Sequence, residues 1–413
     1  MSGPWLGVIA DDLTGACDVA GGLTSLGLAT SLLIGTPEGR LDKPADCVVI
    51  ALRARTSPVE RAVAESIATA RWLRSLGVGR LYQKYCSTFD STSRGNIGPV
   101  ADELADLLGS GVSVGTPATP AAGRTQDGGI LFVHGVPLAE SSMRHHPLTP
   151  MTESDLIALF GRQSRRPVDL LPRATRFVRP ASSRHVLADA VDDADLDALA
   201  ADIDLVGTDI LAGGGAGFAL ALARRHQCSE TPQAATTVGE GRRLILCGSG
   251  SSRTREQLAN FAGPVLSFDP IDVVDNPSAG VTQLVGRLMS IYEHSNDGPA
   301  LVTSTNEPGA VSAAQTLLGP GAAAALVEGM LGRVAVEAIE RLGVRRIVVA
   351  GGETSGAVAD ALQLFRLEVR TVLAPGVPWT VGVRPDGTAI ALLFKSGNFG
   401  EPDLFQKAWE SSP

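Results

Sequence analysis

Short, mainly apolar runs recur along the chain, and each gives way to a polar or glycine-bearing turn, most of them ahead of a stretch with helical spacing. Trp5 to Ala10 and Cys47 to Leu52 are such runs in the first half; Leu244 to Cys247, Ala300 to Ser304, Arg346 to Ala350 and Ile390 to Phe394 repeat the pattern in the second. A continuously apolar run of this length fits a strand covered on both faces, and parallel strands need crossover connections, usually helices. The sequence therefore predicts an α/β fold of two α/β domains, each a mainly parallel sheet flanked by helices, with the active site in the interdomain cleft. A chain of 413 residues exceeds what one core usually supports. The expected division is a domain at 1–230, a linker at 231–242 in a stretch of Ser, Thr, Pro, Gly and Gln without apolar periodicity, and a domain at 243–413.

Composition narrows the partners. The net charge of −9 argues against a general binder of nucleic acid or anionic membranes, while leaving room for a local basic pocket that takes a small anion. Cys17, Cys47, Cys86, Cys228 and Cys247 are odd in number, widely spaced and without a CxxC pair, which predicts buried thiols in the cytoplasm, not a disulfide framework. The first residues, MSGPWLGVIADD, carry no basic and apolar leader, and no later window is apolar for eighteen residues, so neither export nor membrane insertion is expected. The expected partners are small molecules, with a homodimer as an open assembly state.

The densest chemistry lies in Leu81 to Val100. Six Ser, Thr or Asp side chains between Ser87 and Ser93 are interrupted only by Phe89, between a strand-like run and the helical pattern Val100 to Leu108. α/β proteins place ligand contacts at such strand-to-helix loops. Asp11 and Asp12 close the first strand, ahead of a helix expected at Gly15 to Leu26; a cap explains one acid but not two, so one is a candidate for phosphate-metal or proton chemistry. Lys84, Arg124 and Arg144 sit near Gly, Pro or hydroxyl turns, as a carboxylate pocket requires. His145 and His146 are adjacent and point apart in an extended chain, against a shared zinc site.

In the second half the loops Gly248 to Ser252, Gly351 to Gly356 and Gly397 to Gly400 each follow a strand. Glycine lets exposed backbone N–H groups approach a phosphate closely, and three such loops in one domain point to a nucleotide. Each alone is equally a tight turn, and no Walker, kinase or complete dinucleotide fingerprint accompanies them. The cluster GGGAG after Leu211 admits two readings, an anion contact or close backbone packing.

The ordered segments ADDLTGA at Ala10, KYCSTFDST at Lys84, RGNIGPV at Arg94, MRHHPLTPMT at Met143, GGETSG at Gly351, APGVPW at Ala374 and KSGNFG at Lys395 resemble the four-carbon acid sugar kinase family, and within it the 3-oxo-tetronate kinases. The resemblance spans nearly the whole chain except 161–204. It implies phosphorylation of the C4 hydroxyl of 3-oxo-tetronate with ATP and Mg2+, sugar acid held by the first domain and nucleotide by the second. Carried over, nucleotide contacts fall on Ser251, Gly351, Gly352, Glu353, Thr354, Ser355 and Gly397. The catalytic candidates are Asp12, preferred, and Asp90; the substrate candidates are Asp11, Lys84, Ser87, Asn96, Arg124 and Arg144. No metal ligand is assigned. The KYCSTFDST wording separates this subgroup from threonate and erythronate kinases, the alternative within the family.

Overall fold

The computed structural model describes residues 3–41, 43–145, 149–226, 235–294, 298–304 and 308–413. They form two compact units, Met1–Gln233 and Ala234–Pro413.

The first unit is built on parallel strands in the order Thr30–Ile34, Cys47–Ala51, Leu6–Ala10, Arg80–Lys84, Leu211–Gly214, Val112–Thr116, Arg184–Ala188 and Val168–Leu171. The central ones are buried at every position; Leu6–Ala10 and Cys47–Ala51 are apolar throughout, as burial on both faces favours, whereas Arg80–Lys84 buries Arg80, Gln83 and Lys84 as well. From Leu6–Ala10 the chain first adds strands on one side and then, with Arg80–Lys84, crosses to the other. The strand order thus reverses between these two neighbours, where the helices diverge and leave a crevice beyond the carboxyl ends of the strands. The glycines of Leu211–Gly214 serve packing: a Cβ on Gly115 would lie 1.9 Å from the Gly213 carbonyl oxygen, and one on Gly214 2.0 Å from that of Thr116.

The second unit has the order Val265–Phe268, Ala300–Ser304, Arg242–Cys247, Val344–Ala350, Ala389–Lys395, Val377–Val383 and Arg366–Ala374. The first five are parallel, and its reversal falls between Arg242–Cys247 and Val344–Ala350. The last two are antiparallel additions beside Ala389–Lys395, a hairpin that the sequence reading did not anticipate.

Local boundaries differ from expectation in instructive ways. The first helix is Leu13–Ser25, starting directly behind Asp12. The segment GGETSG, expected as a loop, is mostly helical; the helix Gly352–Ala361 begins inside it, behind Gly351 at φ 124. Ile130–Val133 belongs to a separate small antiparallel sheet with Arg124–Asp127 and Val136–Pro137. Within 161–204, which carried no anchor, the strands Val168–Leu171 and Arg184–Ala188 and the helix Asp193–Val206 extend the parallel sheet to its edge. Of the expected linker, 231–234 lie outside the described residues and Arg242 already opens a strand.

Candidate active site

Parallel register aligns the ends of three neighbouring strands in the first unit, with Ala10 opposite Ala51 on one side and Lys84 on the other. Whatever follows each end is therefore gathered at the reversal point. Asp11 and Asp12 follow the first, Arg55 lies in the loop after the second, and Lys84 closes the third. Asp12 caps the first helix, accepting from the Gly15 amide at 2.9 Å and from the Thr14 hydroxyl at 2.7 Å. Arg55 donates to both Asp11 oxygens, at 2.9 and 3.1 Å, lies 3.0 Å from Asp12 and 3.8 Å from Asp90. One guanidinium thus holds three carboxylates. No reading of the sequence singled it out, because RARTS carries no local pattern.

The Lys84 to Asn96 loop supplies the facing wall. Phe89 is buried at φ 51, a conformation unusual for a bulky residue, and packs on Tyr85 and Phe160 with ring centres 5.3 and 6.0 Å away. That anchor turns its polar neighbours toward Asp90, which accepts from Thr88 Oγ1 at 2.7 Å and from Cys86 Sγ at 3.2 Å. Ser87 is buried and makes no hydrogen bond among the described residues. Asn96 donates to the carbonyls of Ala54 at 2.6 Å and Ser57 at 2.8 Å, which binds this loop to the one carrying Arg55. Asp11, Arg55, Lys84, Asp90 and Asn96 line one pocket.

Burial pushes the Asp11 carboxyl up, against the pull of Arg55. For Asp12 the same burial is outweighed by Arg55, Lys84 and the Thr14 and Gly15 hydrogen bonds, so its carboxyl stays below the usual range and ionised. Burial also pulls the Arg124 guanidinium down; the titratable groups that act against this are Cys86, Asp90 and Asp18, which ties Arg124 to the cluster. Asp18, one helical turn beyond Thr14, feels Lys84, Asp12 and Arg124 and was also missed by the sequence reading. Cys86 is pushed up to about 11 by burial and Asp90, which keeps it a thiol and removes it as a nucleophile. Arg144 stands apart: it is exposed, bonds the Ala139 carbonyl at 3.2 Å and has no contact with the cluster among the described residues. His146 and Cys228 lie outside the described residues.

In the second unit, register aligns Cys247 with Ala350 and Ala350 with Lys395, so the three glycine loops emerge side by side. They touch one another. The Gly351 amide donates to the Lys395 carbonyl at 2.9 Å, and a Cβ on Gly397 would meet Ser249 Oγ at 2.6 Å and Ser251 Oγ at 2.9 Å. Ser251 caps the helix Ser252–Ala259. Thr354 and Ser355 are buried, the latter bonded to the Gly351 carbonyl at 2.7 Å, so this segment offers a ligand its backbone more than its hydroxyls. Gly352 and Glu353 form the first turn of their helix, the end whose dipole favours an anion. These loops suit a nucleotide's phosphates.

A second constellation has catalytic form without access. Ser113 Oγ lies 2.5 Å from His185 Nδ1, whose Nε2 lies 2.9 Å from Asp102 Oδ1. All three are buried, the imidazole stacks on Phe160, and Asp102 also accepts from Ser164 and the Arg165 amide. It is a buried polar brace between strands and helices.

Known proteins match this division. A family model described as a sugar-binding N-terminal domain covers residues 6–222, and one described as a nucleotide-binding C-terminal domain covers residues 244–405. The 3-oxo-tetronate kinase of Methylobacterium radiotolerans is 42% identical over 98% of each chain, and that of Cupriavidus necator is 41% identical over 98% of this chain and 96% of its own. The chain belongs to the four-carbon acid sugar kinase family. Two solved structures share the fold over nearly the full length of both chains: a Salmonella typhimurium LT2 protein, 32% identical with a TM-score of 0.79, and a Haemophilus influenzae protein, 34% identical with a TM-score of 0.69. For a family member of this kind, the pocket at the first reversal point falls in the sugar-binding domain and the glycine loops in the nucleotide-binding one.

Proposed function

We infer that the protein transfers the γ-phosphoryl group of ATP to the C4 hydroxyl of 3-oxo-tetronate, giving the 4-phosphate. The observation that carries this reading is the near-full-length likeness to kinases of that acid, at about 40% identity. The geometry supplies the parts. Asp12, kept ionised and rigid by Arg55, Thr14 and Gly15, orients the C4 hydroxyl and accepts its proton, with Asp90, the most distant of the three carboxylates around Arg55, as the second candidate. Lys84 and Arg124 are the cations for the acid's carboxylate, with Asp11 and Asn96 lining the pocket and Ser87 buried in the Lys84 to Asn96 loop as a further candidate contact; Arg144, being exposed, keeps only a peripheral part in this reading. Ser251, the Gly351 to Ser355 turn and Gly397 form the cradle for the phosphates, with the Gly351 and Ser355 amides bonded inside it and holding its shape.

Mg2+ would enter with ATP and supply positive charge that offsets that of the phosphates. Among the described residues no group of three or more His, Cys, Asp or Glu side chains has the arrangement of a dedicated metal cage, and Arg55 occupies the centre of the Asp11, Asp12 and Asp90 cluster. That agrees with an ion carried largely by the nucleotide. No helix among the described residues is long and apolar enough to cross a membrane. A cytoplasmic setting and a homodimer complete the reading, the latter to be checked by sedimentation.

A coupled ADP-release assay over 3-oxo-tetronate, D-threonate and D-erythronate tests the proposal. Release driven by 3-oxo-tetronate above the other two is expected. Preference for either of the others would move the protein to the threonate or erythronate branch, and ATP binding with no acceptor-dependent release would leave a nucleotide-sensing module.

A further inference from the structure

Resting on the nucleotide reading of the second unit, we propose that Lys395 is the positioning residue of the phosphate loops: it ties all three together, and the nucleotide's phosphates are its counter-charge. Lys395 is the last residue of the strand Ala389–Lys395 and is fully buried. Its carbonyl accepts the Gly351 amide, which fixes the second loop. Its ammonium donates to Thr254 Oγ1 at 3.0 Å, on the helix behind the first loop, and to the Gly397 carbonyl at 3.1 Å, in the third. That carbonyl also lies 2.7 Å from Ser251 Oγ and 2.9 Å from Thr254 Oγ1. Three donors therefore hold one oxygen inward. A carbonyl pointing at the ligand would repel phosphate; held back, it leaves the ligand side of the turn to N–H groups.

The ammonium is nevertheless an incomplete arrangement. No Asp or Glu pairs with it among the described residues; the Phe405 ring lies 5.8 Å away, and the titratable or charged groups that face it are the Cys247 thiol and, adversely, the Arg253 guanidinium. Burying a cation without an anion is costly, and such a site is completed when an anion arrives. Burial brings the Lys395 ammonium down to about 7, so without nucleotide it loses its proton as the pH rises through neutrality. Phosphates favour the charged form and raise that value. Nucleotide binding should then be coupled to proton uptake above pH 7, and affinity should fall by up to about tenfold per pH unit between the free and bound values.

Calorimetric titration of the full chain with ATP, without acceptor and in two buffers of different ionisation enthalpy, reads the coupling directly. At about pH 8.5 the wild type should take up close to one proton per ATP more than Lys395→Met does, and at about pH 5.5 that difference should vanish. Titration of ATP itself is common to both proteins and cancels. Lys395→Arg, which stays charged, should bind ATP without the alkaline loss of affinity. Equal uptake in wild type and Lys395→Met, or ATP binding by the wild type with no alkaline weakening, overturns the proposal. If Lys395→Met does not fold, the wild-type pH dependence and Lys395→Arg decide it. Absence of any ATP binding by the wild type overturns the nucleotide reading itself, an outcome distinct from binding without proton uptake.

Discussion

Arg55 is the residue whose removal should be felt most widely. Without it, Asp11, Asp12 and Asp90 would share a buried site with no central cation, a situation that typically costs about 3–5 kcal/mol. Arg55→Met should therefore melt well below the wild type at neutral pH, and the gap should narrow as the pH is lowered toward about 4, because the variant's carboxylates, no longer held down by the guanidinium, then protonate before those of the wild type. The sign follows from Asp12: its depressed value stabilises the fold above the ordinary carboxylate range and loses that contribution as the pH falls through the native value, whereas the raised value of Asp11 works the other way. A gap that is constant with pH in thermal melts would show that the guanidinium does not compensate these charges. Asp12→Asn keeps the cap but removes the base, so turnover should drop by about 10²- to 10⁴-fold with ATP binding intact in a direct binding titration. Unchanged turnover would sink the assignment. The Asp11 and Asp12 pair was legible in the sequence because one cap needs one acid. Arg55 and Asp18 were not, since each is an isolated charge whose meaning comes from the strand register that brings it to the others.

Elements decide how firmly these side chains are held. Asn96 joins the loop before the helix Ile97–Leu108 to the Arg55 loop through two bonds, and Asn96→Ala would leave the Ala54 and Ser57 carbonyls unpaired, at a cost of about 1–3 kcal/mol. Hydrogen exchange of residues 54–57 should speed up and the KM for the sugar acid should rise; unaltered exchange would mean the loops are held by something else. In the other unit, Gly397→Ala would drive a Cβ against Ser249 and Ser251, so the KM for ATP should rise and that for the acid stay put. A change confined to the acid would contradict the division of labour. Parallel strands were readable because burial on both faces leaves an unbroken apolar signature, as in Cys47–Ala51. The hairpin of Arg366–Ala374 and Val377–Val383 was not, for its first strand mixes charged and apolar residues along a partly covered surface. GGETSG misled about its helix start because two glycines at a turn do not reveal that only the first, at φ 124, stands outside the helix.

At the scale of the molecule, the same device appears twice: a parallel sheet, a reversal of strand order, and ligand-facing loops at the strand ends beside it. The two copies differ in what their loops carry, carboxylates and cations in one and glycines with hydroxyls in the other, and this difference assigns them different ligands. An overall charge of −9 offers anionic substrates no general attraction, so each must be captured by short-range, buried groups at its own site. Hydrogen exchange with one ligand at a time then becomes a map of the molecule. ATP alone should protect amides in 248–252, 351–355 and 396–400, and 3-oxo-tetronate alone those in 11–15, 53–57 and 84–96. With either ligand at a hundred times its Kd, binding linkage adds about 2.7 kcal/mol to the native state of whatever cooperative unit holds it. Protection by ATP in 84–96 without any in the glycine loops would reverse the assignment. Protection of both sets by ATP alone would show that the nucleotide is read by the two units jointly, before the acid arrives.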